Sequence, residues 1–154
     1  MTKRKIVSVP PEASLVLRVC RADMSSNNGF IWPSEIGAIA AAPDWKPTAE
    51  CGNGLHGWLY GHGDHNCSDY FKLDDAKWMV IEVITADIIM LDGKCKFPSA
   101  VVRFVGDRHD ATNFLFANEP RSSAATIIGH TKSVGDSGVV SVGAFGTATA
   151  GDDG

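Results

Sequence analysis

The residues best suited to chemistry crowd into one stretch, Glu50-Cys51-Gly52-Asn53-Gly54-Leu55-His56-Gly57-Trp58-Leu59-Tyr60-Gly61-His62-Gly63-Asp64-His65-Asn66-Cys67. Three of the five histidines and two of the four cysteines lie in it. Zinc takes neutral imidazoles and thiolates at four tetrahedral corners, so Cys51, His56, His62, His65 and Cys67 form a conceivable donor set. Their spacings (Cys-x4-His, His-x2-His, His-x-Cys) match no standard finger. The plainer reading packs Cys51 and His56 structurally and leaves 61–66 as a solvated loop, and no metal ligand is assigned.

The same stretch has a second use, based on shape. Gly52-Asn53-Gly54 lets backbone approach a ligand closely. A strand after it presents His56, Trp58 and Tyr60 on one face by its period of two. An imidazole, an indole and a phenol side by side make a surface on which a nucleobase or nicotinamide stacks and is hydrogen-bonded. The competing reading is that Trp58 and Tyr60 are core, as strand aromatics commonly are. A small anion fits backbone amides together with Arg18 or Arg21. Other chemistry is thin: there is no G-x-S-x-G elbow, P-loop or dinucleotide fingerprint. His109-Asp110 reads as a polar first helical turn, and Glu82 as facing solvent or pairing with Arg18. No catalytic residue is assigned, and no cofactor is specified.

These side chains need a scaffold, and the chain is long enough to supply one. It has 154 residues, 44% hydrophobic and 21% charged, which is ordinary globular composition and excludes wholesale disorder. The net charge is −4 and the largest basic cluster is Lys3-Arg4-Lys5, so long nucleic acid is not a partner. No apolar run approaches the roughly 20 residues of a membrane span. The basic start leads into a short, proline-broken segment rather than a secretory leader, and the expectation is a cytoplasmic protein with reduced thiols.

Residues 13–20 are almost continuously apolar, the pattern of a strand covered on both faces. Residues 21–54 read as loop, with one short strand at Phe30-Ile31-Trp32. Strands are predicted over 55–60, 77–84, 88–91 and 101–105, and a short helix over 69–76. Asp92-Gly93 marks a tight turn before Lys94-Cys95-Lys96-Phe97. Asp107 caps a helix that runs to about Asn118 and is stopped by Pro120. The resulting fold class is α+β, with a mostly antiparallel sheet and one main helix over 1–118.

Residues 119–154 differ. Ala124-Ala125-Thr126-Ile127, Thr131-Lys132-Ser133-Val134, Val139-Val140-Ser141-Val142 and Thr147-Ala148-Thr149-Ala150 recur at a period of eight, with one residue missing at Ile128-Gly129-His130 and Gly-x-x-Gly between the last three. Thr126, Ser133, Ser141 and Thr149 form a hydroxyl ladder, and Ile127, Val134, Val142 and Ala150 an apolar one on the opposite face. The expectation is a short β-solenoid tail of about two coils, fewer than stand alone. The tail therefore needs the domain or another copy of itself, making a homo-oligomer through the tail.

Cys51-Gly-Asn-Gly-Leu-His-Gly-Trp58, Trp78-Met-Val-Ile-Glu-Val83 and the Gly-x-x-Gly-Thr-Ala-Thr-Ala octads resemble a group of phage and bacterial proteins with a small domain ahead of a repeat tail. The octads over 143–154 also look like those of ice-nucleation proteins, although two coils present a small threonine array for that role. A further resemblance is to the ADP-ribosyltransferase fold, through Leu17-Arg18, Gly52-Asn-Gly-Leu-His56 and Ser68-Asp-Tyr70. It implies that Arg18 orients NAD and that Tyr70 stacks on nicotinamide. The family's late catalytic glutamate has no counterpart, since 83–118 contain no Glu.

Together these readings give an expected function: a non-enzymatic phage or bacterial accessory protein. It would bind a small nucleotide-like ligand or a host protein through Arg18, Asn53, His56, Trp58, Tyr60 and Tyr70. The rivals are an NAD-using transferase, a zinc hydrolase and the cap of a repeat filament.

Overall fold

A computed structural model describes residues 12–26, 30–68 and 70–130. Its centre is β1 (Ala13–Cys20), paired with β4 (Lys77–Ile84) along its whole length. Outside β4 runs β7 (Ser99–Gly106), and outside that β2 (Ile39–Ala41). On the other side of β1 come β3 (Leu55–Leu59), β6 (Cys95–Phe97) and β5 (Ile89–Met90). The order is β2-β7-β4-β1-β3-β6-β5, and every pairing among the described residues is antiparallel. With α1 (Arg108–Asn118) this makes an α+β fold.

Alternation along β1 sends side chains into two cores. Leu15, Leu17 and Val19 join Trp58, Trp78, Val80, Ala111 and Leu115 under α1. Val16 and Cys20 join Met79, Ile81, Phe97 and Val102 beneath Trp32 and Ala40. A strand covered on both faces has no solvent side, which is why its sequence is apolar almost throughout. The Asp107 carboxylate caps α1 by accepting from the Asp110 amide at 2.8 Å, and Phe114 stacks on Phe104 with centroids 5.2 Å apart.

Several local expectations need correction. Phe30-Ile31-Trp32 is not a strand: Ile31 makes only an isolated bridge to Ser25, and Trp32 is spent plugging the core. The extra edge strand β2 lies in what reads as loop. Residues 70–76 form turns instead of a helix. Glu82 pairs with Arg103 at 2.9 Å rather than with Arg18.

The first octad segment is no strand either. A 3₁₀ turn (Pro120–Ala124) runs into its first residue, Thr126 is exposed and Ile127 is buried in the α1-side core. The remaining octads and the solenoid expected of them lie outside the described residues.

Residues 119–130 are strapped to the domain. The fully buried Glu119 carboxylate accepts from the Leu15 amide at 3.1 Å and from Arg121 Nε at 2.8 Å, while Arg121 Nη2 donates to the Ala13 carbonyl at 2.9 Å. Ile128 N donates to the Gly61 carbonyl, and His62 Nε2 lies 2.8 Å from the Ser122 carbonyl.

Burial alone raises the Glu119 pKa, but the donors from Arg121 and Leu15 outweigh it and hold the carboxyl below its ordinary value. Its stabilisation is therefore complete above that ordinary value and is lost as pH falls through the lowered one. Glu119→Ala should cost about 3 kcal/mol by stranding these donors, read as a lower urea midpoint at unchanged slope. Glu119→Gln should flatten the acid limb of the stability profile.

Candidate functional site

The β1–β3 ladder is short. Val16 pairs with Leu59 and Leu17 with Trp58, and the pairing stops there. Gly57 comes so close to β1 that a Cβ on it would collide with the Val16 side chain and the Leu17 carbonyl. Beyond this point the two strands part, and Arg18 spans the gap, its Nη1 donating to the His56 carbonyl at 3.1 Å. A cleft of about 490 Å³ opens here, within the size range of small-molecule sites.

The loop before β3 forms one wall. Gly52 (φ 95°) and Asn53 (φ 53°) take left-handed conformations that reverse the chain. Two β6-side lysines hold that loop. The buried Lys96 donates from Nζ to the Gly52 carbonyl at 3.1 Å, and Lys94 Nζ lies 3.0 Å from Cys51 Sγ. The Gly52 amide donates to His56 Nε2 at 3.1 Å, which leaves the ring proton on Nδ1. Burial first, then the positive charges of Lys94, Arg18 and Lys96, lower the His56 pKa to about 4. His56 is thus neutral at physiological pH.

Five of the six residues expected at a ligand site line this cleft: Arg18, Asn53, His56, Trp58 and Tyr70. Trp58 is 3% exposed, donates from Nε1 to the Asp64 carbonyl and packs on Trp78, so it is core and cleft wall at once. Tyr70 is 5% exposed, with the Arg21 guanidinium 4.9 Å from its ring centre. Tyr60 is not part of the group. β3 ends at Leu59 and Tyr60 has φ 59°, so the period-two register breaks. Its ring turns to Arg121 and its hydroxyl to Ser14. Trp32, missed by sequence reasoning as a site residue, lies 5.4 Å from the Arg18 guanidinium; its isolation in a loop was the available signal.

The five metal-type residues do not converge. His62 is bonded to the Ser122 carbonyl, His65 stacks on Phe71 and Cys51 faces Lys94, and among the described residues no three His, Cys, Asp or Glu side chains are placed to hold an ion. All four cysteines are free. Burial pushes the thiols of Cys20 and Cys95 up to about 11 and about 12, which keeps them protonated and unreactive.

Residues 14–116, which carry the sheet and nearly all of α1, match the family described as a domain of unknown function, DUF7666, and the chain belongs to that family. Among curated relatives, an ice nucleation protein of Pseudomonas syringae pv. syringae is 38% identical over 122 residues, covering 76% of this chain and 10% of the relative. One of Pseudomonas syringae is 40% identical over 111 residues (70% and 9%), and one of Xanthomonas campestris pv. translucens 38% over 116 residues (74% and 7%). The chain thus spans about a tenth of the length of these relatives. No solved structure matches it.

These findings overturn the expectation of a phage accessory protein that binds a nucleotide-like ligand or a host protein, and its transferase and zinc rivals are set aside with it. The relatives are ice nucleation proteins of bacteria. The likeness to ADP-ribosyltransferases finds no support, and Glu82 and Glu119, the glutamates nearest its requirement, are both tied up in ion pairs. The ice-nucleation likeness is also wider than the octads. A match of this length exceeds the whole of 119–154 and so draws mostly on the domain. No helix among the described residues is long and apolar enough to cross a membrane.

The electrostatics of the cleft are directly testable. The His56 ring should titrate in NMR with a midpoint near pH 4. Its lowered folded pKa means that the unfolded chain binds the extra proton first. The associated stability is present above about pH 6.5 and lost as pH falls from there towards 4. A midpoint at the ordinary histidine value would place His56 outside the cleft wall.

Proposed function

We propose that the chain acts in ice nucleation. In this reading the α+β domain is the folded module that fixes where the octad segment departs, and the hydroxyl ladder faces ice. The observation that carries it is identity of 38–40% with ice nucleation proteins over a span that includes most of the domain. Two features of the fold support it. The Glu119–Arg121 strap ties the start of the octads to β1, so the chain reaches His130 from a defined position. At the one octad segment described, the ladder residue Thr126 is exposed and its apolar neighbour Ile127 is buried, the division an ice-facing array needs. Among the described residues the domain offers no comparable array: Thr85 is bonded to Ser14 and Thr112 to the Arg108 carbonyl.

Droplets containing the chain should freeze warmer than buffer droplets. Replacing Thr126, Ser133, Ser141 and Thr149 together with alanine should return freezing to the buffer value while thermal unfolding of the domain stays the same. Equal freezing of parent and variant, or of parent and buffer, overturns this reading.

A further inference from the structure

We infer that the cleft beside Arg18 is a binding site for a small monocarboxylate with a flat, apolar body, independently of any role in ice nucleation. The starting point is an unsatisfied cation. Arginine carries five N–H donors, and among the described residues only one of those on Arg18 meets an acceptor, the His56 carbonyl. Its Nε is shielded from solvent and has no partner. No described carboxylate pairs with it: Glu82 is taken by Arg103 and Glu119 by Arg121. Removing a guanidinium from water is costly unless charge and hydrogen bonds are returned, and the domain returns one carbonyl and one indole face.

Shape and charge together select the ligand. Arginine presents parallel donors that match a carboxylate's two oxygens. Trp32 beneath the guanidinium, together with Phe30, Ile31, Trp58 and Tyr70 in the lining, makes walls suited to a planar hydrocarbon. The charge count sets the valence. His56 is neutral, and of the charged residues in the lining Arg18 and Lys94 are positive and Asp44 is negative. A net single positive charge suits a carboxylate and is a poor match for a phosphate dianion.

The test uses the full chain and 2-naphthoate as probe, with 2-naphthamide as the uncharged analogue and phenyl phosphate as the dianion. Titration of 2-naphthoate should give a saturable heat signal and shift the Arg18 Nε–H and His56 ring resonances. 2-Naphthamide should bind about tenfold or more weakly, as expected for loss of charge-assisted hydrogen bonds, and phenyl phosphate should not compete. Arg18→Met should lose the same factor for 2-naphthoate, gain nothing for 2-naphthamide, and unfold no earlier than the parent, since an apolar replacement of an unpaired buried ion is neutral or stabilising.

Three results overturn the assignment: no saturable 2-naphthoate signal, equal binding of the amide, or tighter binding of phenyl phosphate. If Arg18→Met fails to fold, Arg18 is a structural brace. The resonance shifts of the parent chain then decide, and unmoved Arg18 and His56 signals reject the site. Freezing assays do not enter, so this inference and the ice-nucleation reading stand or fall separately.

Discussion

The structure depends on the double burial of β1. With a core on each face, β4 along one side and β3 over part of the other, most polar groups of β1 are shut off from solvent and must be met by protein. At the N-terminal end this is done fully. Glu119 takes the Leu15 amide, Arg121 satisfies the Ala13 carbonyl, and the buried Ser14 hydroxyl lies 2.7 Å from that of Thr85. At the other end the strand carries the full charge of Arg18, and the matching is incomplete. The two ends of one strand thus hold the features that matter: the tie to the departing chain and the opening of the cleft.

Both features arise from pairing that ends early. A β3 that followed β1 to Cys20 would leave no cleft. The ladder closes after two residue pairs because β3 is entered from a left-handed bend at Gly52 and Asn53, held by Lys96 from β6. Gly57 allows contact at the last point of approach, and the Arg18 side chain then reaches a carbonyl beyond the end of the ladder. The lysine is itself buried, and it gains its acceptor from a loop carbonyl and a flanking ring, Trp45, 5.5 Å from Nζ. The cleft is built into the sheet rather than laid on its surface.

How far the sequence discloses this follows from how local each determinant is. The bounds of β1 and β4, the Asp107 cap and the Asp92-Gly93 turn rest on neighbours a few residues apart, and the apolar run, the capping carboxylate and Gly93 (φ 83°) sit where their patterns say. Tyr60 was misplaced because period two assumes that the strand continues, and a single positive φ at its end cancels the inference. Glu119 was unreadable for a different reason. Its partner Leu15 is 104 positions away, and nothing near Glu119 marks it as buried. Trp32 stands alone on a loop, which marks it as an anchor, and the fold lays it against the Arg18 guanidinium.

The same locality governs the likeness to ice nucleation proteins. The octads over 143–154 display it because they repeat, whereas the similarity extends through a domain with no repeat to notice. That domain is held by long-range pairing, with β1 against β4 and β4 against β7, and not by periodic local signals. A fold of this kind cannot be trimmed to its visible motif. CGNGLHGW acquires meaning only from β1 behind it and β6 beside it, where Gly57 meets Val16 and Lys96 holds the Gly52 carbonyl. The motif is the rim of a cleft, and its depth is set by Arg18, some 40 residues earlier in the chain.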